Sequence, residues 1–283
     1  MSMPDNASLF PGKHFISTVL SALETKTAMS SALVRQYLMR AAMAGVIIGV
    51  MYTVNFAVVA AFQEVDDSLY QVGKIVGALF FGWALVFIYY SKSELLTSNM
   101  MIVSIGLYHR RTSVVKGLRI LGLCFLGNIL GGLLVAALLR FSTLTSGAAG
   151  DLMVSATDHK VAYLTEGVTG WTDLLIRAVL CNFMINLAML LVYNGLIKDD
   201  LTRCLVMVVA VFVFAFTGLE HSVANTVLFL VVGLQGGLDV GLAAGNVGIA
   251  LLGNLVGGGL LIGLYYAYLN DDSHYPAEST TST

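Results

Sequence analysis

Long apolar runs without a single charge dominate the chain. Those at 41–62, 120–139, 178–197 and 240–270 each reach the roughly 20 residues that a helix needs to cross a hydrocarbon core. Two further runs, 75–90 and 204–219, stop at polar stretches and then resume. The first stop reads Ser91-Lys92-Ser93-Glu94-Leu95-Leu96-Thr97-Ser98-Asn99, the second Glu220-His221-Ser222-Val223-Ala224-Asn225. The pattern predicts an all-α membrane protein of six transmembrane helices, the second and fifth interrupted. Around this channel domain, 41–270, it predicts an N-terminal segment, 1–40, and a polar, disordered tail, 271–283. In the N-terminal segment Phe15, Val19, Leu23, Leu33 and Tyr37 recur at helical spacing after Pro11, as in an amphipathic helix lying at a membrane surface.

An internal repeat refines this plan. Glu94 and Asn99 in the first break return as Glu220 and Asn225 in the second, a shift of 126 residues. The third span reads Leu126-Gly127-Asn128-Ile129-Leu130-Gly131-Gly132 and the sixth Leu252-Gly253-Asn254-Leu255-Val256-Gly257-Gly258, at the same shift. Each half holds three spans, an odd number, so the second half enters the membrane with opposite polarity. The expected fold is therefore an inverted 3+3 repeat. Backbone groups freed at the breaks are too costly to leave facing lipid, so the breaks are expected to line a wet path. Helix N-termini there present N–H groups and partial positive charge, which favours an anion.

Composition agrees. The 283 residues are 57% hydrophobic and 11% charged, with a mean hydropathy of +0.83, more apolar than a soluble domain at roughly half. The net charge of -2 supplies no general field for nucleic acid. Basic residues nevertheless cluster: Lys13, Lys26, Arg35, Arg40, Arg110, Arg111, Lys116, Arg119, Lys198 and Arg203 fall on one side, and Lys74, Lys160 and Arg177 on the other among Glu64, Asp66, Asp67, Asp151 and Asp158. By the positive-inside rule both termini are cytoplasmic, in an inner membrane. Cys124, Cys181 and Cys204 lack the spacing of a metal site or disulfide framework. No nucleophile with its base, metal cluster or cofactor loop is recognisable, so an enzyme is not expected.

Ionisable groups between long apolar runs are expensive and are functional candidates by default. His221 can share or pass a proton near neutral pH. Glu94 and Glu220 are expected to hold the breaks in shape by accepting hydrogen bonds from backbone N–H groups. Asn99, Asn225, Asn128 and Asn254 are expected to satisfy backbone groups between helices.

Three strings carry a family resemblance: Ser93-Glu94-Leu95-Leu96-Thr97, Leu180-Cys181-Asn182-Phe183-Met184 with Leu187-Ala188, and Gly218-Leu219-Glu220-His221-Ser222-Val223-Ala224-Asn225. They resemble the formate/nitrite transporter family over about residues 30 to 268. The resemblance implies an aquaporin-like protomer, a homopentamer in the lipid bilayer with one pore per protomer, and no cofactor. It implies a small-anion substrate: formate, nitrite, hydrosulfide or lactate. The family's pore histidine falls on His221 and its partner threonine on Thr97; Asn182 lies in the fourth-span motif. One constriction is expected from Phe81, Leu85 and Phe214, the other from Leu95 and Leu96.

Two positions depart from the family pattern. Lys92 stands where a small residue is usual, either adding charge to the inner vestibule or reaching to the interface. Lys160 is the candidate for the lysine at the outer mouth, although it lies about six residues further from Asn182 than the family spacing. Two apolar constrictions would stop an ion far more than a neutral acid, so an anion is expected to take up a proton with the help of His221 and to cross as the acid. Passage of the bare anion past a charged His221 is the other route. A water- or glycerol-type pore would share the six-span plan, but its paired Asn-Pro-Ala motifs are absent; Pro4, Pro11 and Pro276 all fall outside the spans.

Overall fold

The computed structural model describes residues 6–273, and all regular elements among them are helical. The polar tail expected from 271 onward falls outside the described residues beyond Ser273, as do Pro4 and Pro276. In chain order the helices are α1 (Asn6–Leu9), α2 (Lys13–Ala32), α3 (Val34–Val65), α4 (Tyr70–Tyr90), α5 (Leu96–Tyr108), α6 (Val114–Arg140), α7 (Ala148–Thr165), α8 (Gly167–Tyr193), α9 (Asp200–Thr217), α10 (Ser222–Gln235), α11 (Val240–Asn254), a π-helical stretch (Leu255–Leu264) and α12 (Tyr265–Leu269). Six helical stretches are long and apolar enough to cross a membrane: Val34–Val65, Asp67–Tyr90, Val114–Arg140, Gly167–Tyr193, Asp200–Thr217 and Val240–Leu269. Several overrun the uncharged runs that announce them. Arg35 and Arg40 open α3, and Lys116 and Arg119 open α6, because backbone hydrogen bonding does not stop where the hydrocarbon does and long basic side chains reach back to water.

The spans pack closely through small residues. A Cβ on Gly131 would sit 1.8 Å from the Ala42 carbonyl oxygen, and one on Gly257 would sit 2.0 Å from that of Val179. No larger residue fits at either crossing, so α3 meets α6, and α8 meets the last span, almost backbone to backbone. The last span widens into its π-helical stretch around Gly257, Gly258 and Gly259. There a Cβ on Gly258 would meet the side-chain amides of Asn182 and Asn186 at 2.4 and 2.3 Å.

Two elements differ from the sequence expectation. The N-terminal apolar stripe is split between two helices, because Leu33 is a non-helical joint (φ -130, ψ 46) and Tyr37 belongs to α3. In α2, Phe15, Val19 and Leu23 are fully buried against the protein, so this face turns into the bundle instead of lying on lipid. The end of the last span holds α2 in place: the Gly12 N–H donates to Asn270 Oδ1 at 2.7 Å, Lys13 pairs with Asp272, and Phe15 meets Tyr266 edge to face at 6.3 Å. The second difference is α7, an 18-residue helix where the hydropathy pattern shows only a loop between spans. Asp151, Asp158, His159 and Lys160 break its apolar run without breaking the helix.

Candidate functional site

The chain leaves helical geometry at 91–95 and again at 218–221. Both breaks open on a left-handed residue that turns the chain out of the preceding helix: Lys92 at φ 57 in the first and Gly218 at φ 70 in the second. The following N–H reaches back in the same way, Ser93 to the Ile88 carbonyl at 3.0 Å and Leu219 to that of Phe214 at 2.9 Å. Glycine adopts this conformation without strain and lysine does not. Lys92 thus holds a conformation that Gly218 adopts freely in the other break. The Lys92 side chain lies over the Tyr89 ring, with Nζ 5.0 Å from its centroid.

Each break is then bonded by the same set of partners. The Leu96 N–H donates to Asn128 Oδ1 at 3.1 Å, and the Asn128 amide donates to the carbonyls of Ala41 (2.8 Å) and Glu94 (2.9 Å). In the second break the Ser222 N–H donates to Asn254 Oδ1 at 2.9 Å, and the Asn254 amide donates to Ala178 (2.8 Å) and Glu220 (3.0 Å). The Glu94 N–H reaches the Arg40 carbonyl as that of Glu220 reaches Arg177. Asn182 ties the second half to the first, its amide donating to the Asn254 carbonyl at 2.7 Å and the Thr97 carbonyl at 3.1 Å; Asn186 also donates to Thr97.

The two glutamates do not accept backbone N–H groups, contrary to the sequence expectation. Glu220 takes Lys160 Nζ on both oxygens, at 2.8 and 2.9 Å, and the Asn225 amide at 2.5 Å. Asn225 also donates to Asn246 Oδ1 at 2.9 Å, and Asn246 returns to the Lys160 carbonyl at 2.8 Å, closing a ring. Glu94 pairs with Lys26 of α2 and accepts from Asn99 at 3.1 Å, while Asn99 also donates to the Tyr37 hydroxyl at 3.1 Å. A carboxylate removed from water needs a countercharge more than it needs an amide. The helix-start N–H groups are already taken by Asn128 and Asn254.

Three cavities follow one another through the protein. A first, of 520 Å³, lies between α2 and the first break, with Lys26, Arg40, Lys92, Glu94, Leu95 and Arg203 among its lining. A second, of 420 Å³, lies beneath α7 and is lined by Tyr52, Lys74, Phe81, His159, Lys160, Arg177, Phe214, Glu220 and His221 among others. Between them is a chamber of 20 Å³ walled by Ile48, Phe81, Ala84, Leu85, Ile88, Leu95, Ile185, Val211, Phe214, His221 and Ala224. His221 is its one titratable group. Its Nδ1 accepts the Ala224 N–H at 3.1 Å, capping α10, and Nε2 lies 3.1 Å from Thr97 Oγ1. With Nδ1 accepting, the ring proton resides on Nε2 and points to Thr97. The ring stacks on Phe214 at 5.8 Å.

The fold thus gathers Phe81, Leu85, Phe214 and Leu95 around one chamber with His221, and sets Thr97 behind it. Leu96 is buried but lines none of the three cavities; its backbone serves the break instead. Lys160 reaches Glu220 despite its sequence distance, because α7 ends at Thr165 and the chain turns through Gly167 (φ 65) into α8. Sequence reasoning missed Lys26, Tyr37 and Asn246. Lys26 lies on the helix that faces the first break as α7, with Lys160, faces the second.

Residues 13–268 match the model of the family described as formate/nitrite transporter. The formate channel FocA of Haemophilus influenzae is 27% identical over 253 residues, covering 80% of this chain and 85% of its own. Among solved structures, a chain described as an FNT family ion channel superposes with a TM-score of 0.78 at 24% identity, over 90% of this chain and 98% of its own. A pentameric formate channel with formate bound superposes with a TM-score of 0.66 at 20% identity, over 84% and 97%. With the family model spanning nearly the whole chain, the protein belongs to the formate/nitrite transporter family.

Proposed function

We propose that the chain is a membrane pore for small monovalent weak-acid anions of the formate, nitrite, hydrosulfide and lactate class, dependent on pH and linked to proton uptake. The observation that carries this reading is the sequence of cavities: two roomy, cation-bearing vestibules separated by a small apolar chamber whose one titratable lining group is His221. Lys160 is paired with Glu220 and Arg177 with Asp173, so Lys74, with no ion pair among the described residues, is the cation left to draw in an anion. An isolated charge inside the chamber would cost several kcal/mol at the least, whereas a neutral acid sheds only weak hydration. Protonation at the chamber's edge therefore converts an excluded species into a permitted one.

The bonding of His221 narrows its part. A proton on Nδ1 would displace the Ala224 N–H and uncap α10, so the capping bond is compatible only with the ring that carries its proton on Nε2. We read the Nε2–H and the Thr97 hydroxyl as a hydrogen-bonding pair that steadies the substrate while it exchanges its proton with vestibule water.

The architecture is read in the same spirit. Each helix, break and short helix, α4 with α5 and α9 with α10, forms one interrupted span, and the halves are inverted copies in an aquaporin-like plan. Matching hydrogen bonds at the two breaks support this, as does the pairing of chamber residues at constant shifts: Ile88 with Phe214 and Leu95 with His221, 126 apart, and Ile48 with Ile185, 137 apart. The first vestibule, rich in basic residues, faces the cytoplasm with both termini, and the chain sits in the inner membrane. It assembles as a homopentamer like the pentameric formate channel whose fold it shares. The domain plan is the sequence-derived one, a cytoplasmic N-terminal segment 1–40, a channel domain 41–270 and a cytoplasmic tail 271–283, with α2 of the first segment lining the inner vestibule.

Uptake of the four acids into proteoliposomes at several pH values, beside His221→Asn, tests the proposal. Faster entry at low pH, with a pH dependence changed in the variant, is the expected result. Entry no faster than into empty liposomes for every acid would overturn it.

A further inference from the structure

Tyr52, in the middle of α3, plays no part in the arrangement described so far. Its ring fills the floor of the second vestibule, tilted against Phe56 at 4.9 Å and against Phe81, a wall of the central chamber, at 5.1 Å. The hydroxyl makes no hydrogen bond to any of the described residues, although Lys160 and Glu220 line the same cavity. Half-buried at the vestibule floor, this phenol leaves its hydroxyl free to hydrogen-bond a solute in the cavity. The companion position in the other half, 137 residues on, is Met189, which lines the first vestibule. The hydroxyl is therefore a feature of one side only, and close packing of the aromatic floor does not require it.

We propose that the Tyr52 hydroxyl donates a hydrogen bond to the oxygen of an incoming carboxylate or nitrite held beside Lys160, and so selects oxygen anions over hydrosulfide at the chamber's edge. This rests on the transport reading above. A phenol O–H to a charged oxygen is a short, strong hydrogen bond, whereas the large, diffuse charge of a sulfur anion accepts weakly. Lys160, a point charge already engaged by Glu220, attracts both kinds of anion without distinguishing them.

Tyr52→Phe keeps the ring and its packing on Phe56 and Phe81 and removes only the donor. The measurement is initial uptake of formate, nitrite and hydrosulfide into proteoliposomes over a range of concentrations, for the parent and Tyr52→Phe, with the thermal midpoint of each in detergent. The expected result is a KM for formate and nitrite raised roughly tenfold, the loss of one charge-assisted bond, with hydrosulfide uptake changed less than about twofold and the midpoint unmoved. Equal changes for oxygen and sulfur acids, or none, would overturn the role given to Tyr52 while leaving the pore standing. A parent protein that admits no acid, or hydrosulfide alone, would overturn both this selectivity and, in the first case, the transport reading beneath it.

Discussion

The two breaks share a scaffold and differ in what they present to the chamber. Asn128 and Asn254 hold the start of the following helix with equivalent bonds, and Glu94 and Glu220 each pair with a lysine on a helix laid across the break. At the position after each glutamate the breaks part. Leu95 offers the chamber only a side chain of carbon and α5 has no side-chain cap, whereas His221 caps α10 through Nδ1 and turns Nε2 toward Thr97. One break therefore presents only carbon to the chamber and the other an imidazole. The hydrogen bonds that hold each helix start are matched between the two breaks, and the polar side chain lining the chamber is single.

The sharpest way to break this comparison is to strand a charge. Lys160→Met leaves Glu220 buried with only Asn225 as partner, which is expected to cost about 3–5 kcal/mol and to lower the thermal midpoint in detergent. Lys160→Met with Glu220→Gln is expected to recover most of that loss, since the pair's value is chiefly that neither charge is left alone. Failure of the double variant to recover stability would mean that Lys160 supports the break in another way.

The asparagines come next in size. Asn128→Ala and Asn254→Ala each remove three hydrogen bonds and leave backbone groups unpaired, at about 1–3 kcal/mol for such a group. The two losses in thermal midpoint are expected to be similar. A large difference between them would sink the claim that the breaks share one scaffold. His221→Leu, which gives the second break the residue of the first, removes the cap at about 1 kcal/mol and makes the chamber wholly apolar. It is expected to slow uptake at every pH, leaving faster entry at low pH because only the neutral acid crosses, and to leave the protein folded, which circular dichroism and the oligomer size would verify.

Much of this was legible in the chain because membranes punish ambiguity. Six spans follow from uncharged runs, and Glu94, Asn99, Glu220 and Asn225 stood out because polar residues amid such runs need a reason. The paired Gly-Asn motifs of the third and sixth spans pointed to Asn128 and Asn254, and the structure bonds the two alike. What stayed hidden had weaker periodicity. The helix α7 carries four ionisable residues within 18 and reads as a loop by hydropathy alone, yet its backbone bonds do not depend on that. The partners of Glu94 and Glu220 were also out of reach, since Lys26 and Lys160 lie 68 and 60 residues away and only the fold brings them in. Leu96 was assigned to a constriction by resemblance, but its helix start turns the side chain into the protein.

Lys92 offers the smallest and most particular test. It occupies the left-handed position that Gly218 occupies in the other break, so it holds a conformation that costs a side chain about 1 kcal/mol more than glycine. Its Nζ lies over Tyr89 and it lines the first vestibule, where Lys26, Arg40 and Arg203 already supply positive charge. If the lysine is kept only for its backbone, Lys92→Gly should stabilise the protein by about that amount and leave uptake unchanged. If its charge serves the vestibule, the same variant should still be more stable but should admit anions more slowly, with the deficit disappearing at high salt, where Lys92 in the parent is screened as well. Lys92→Gln separates the two contributions, since it keeps the strained side chain and loses the charge. We expect Lys92→Gly to be the more stable of the two variants and both to lose the same modest fraction of uptake at low ionic strength.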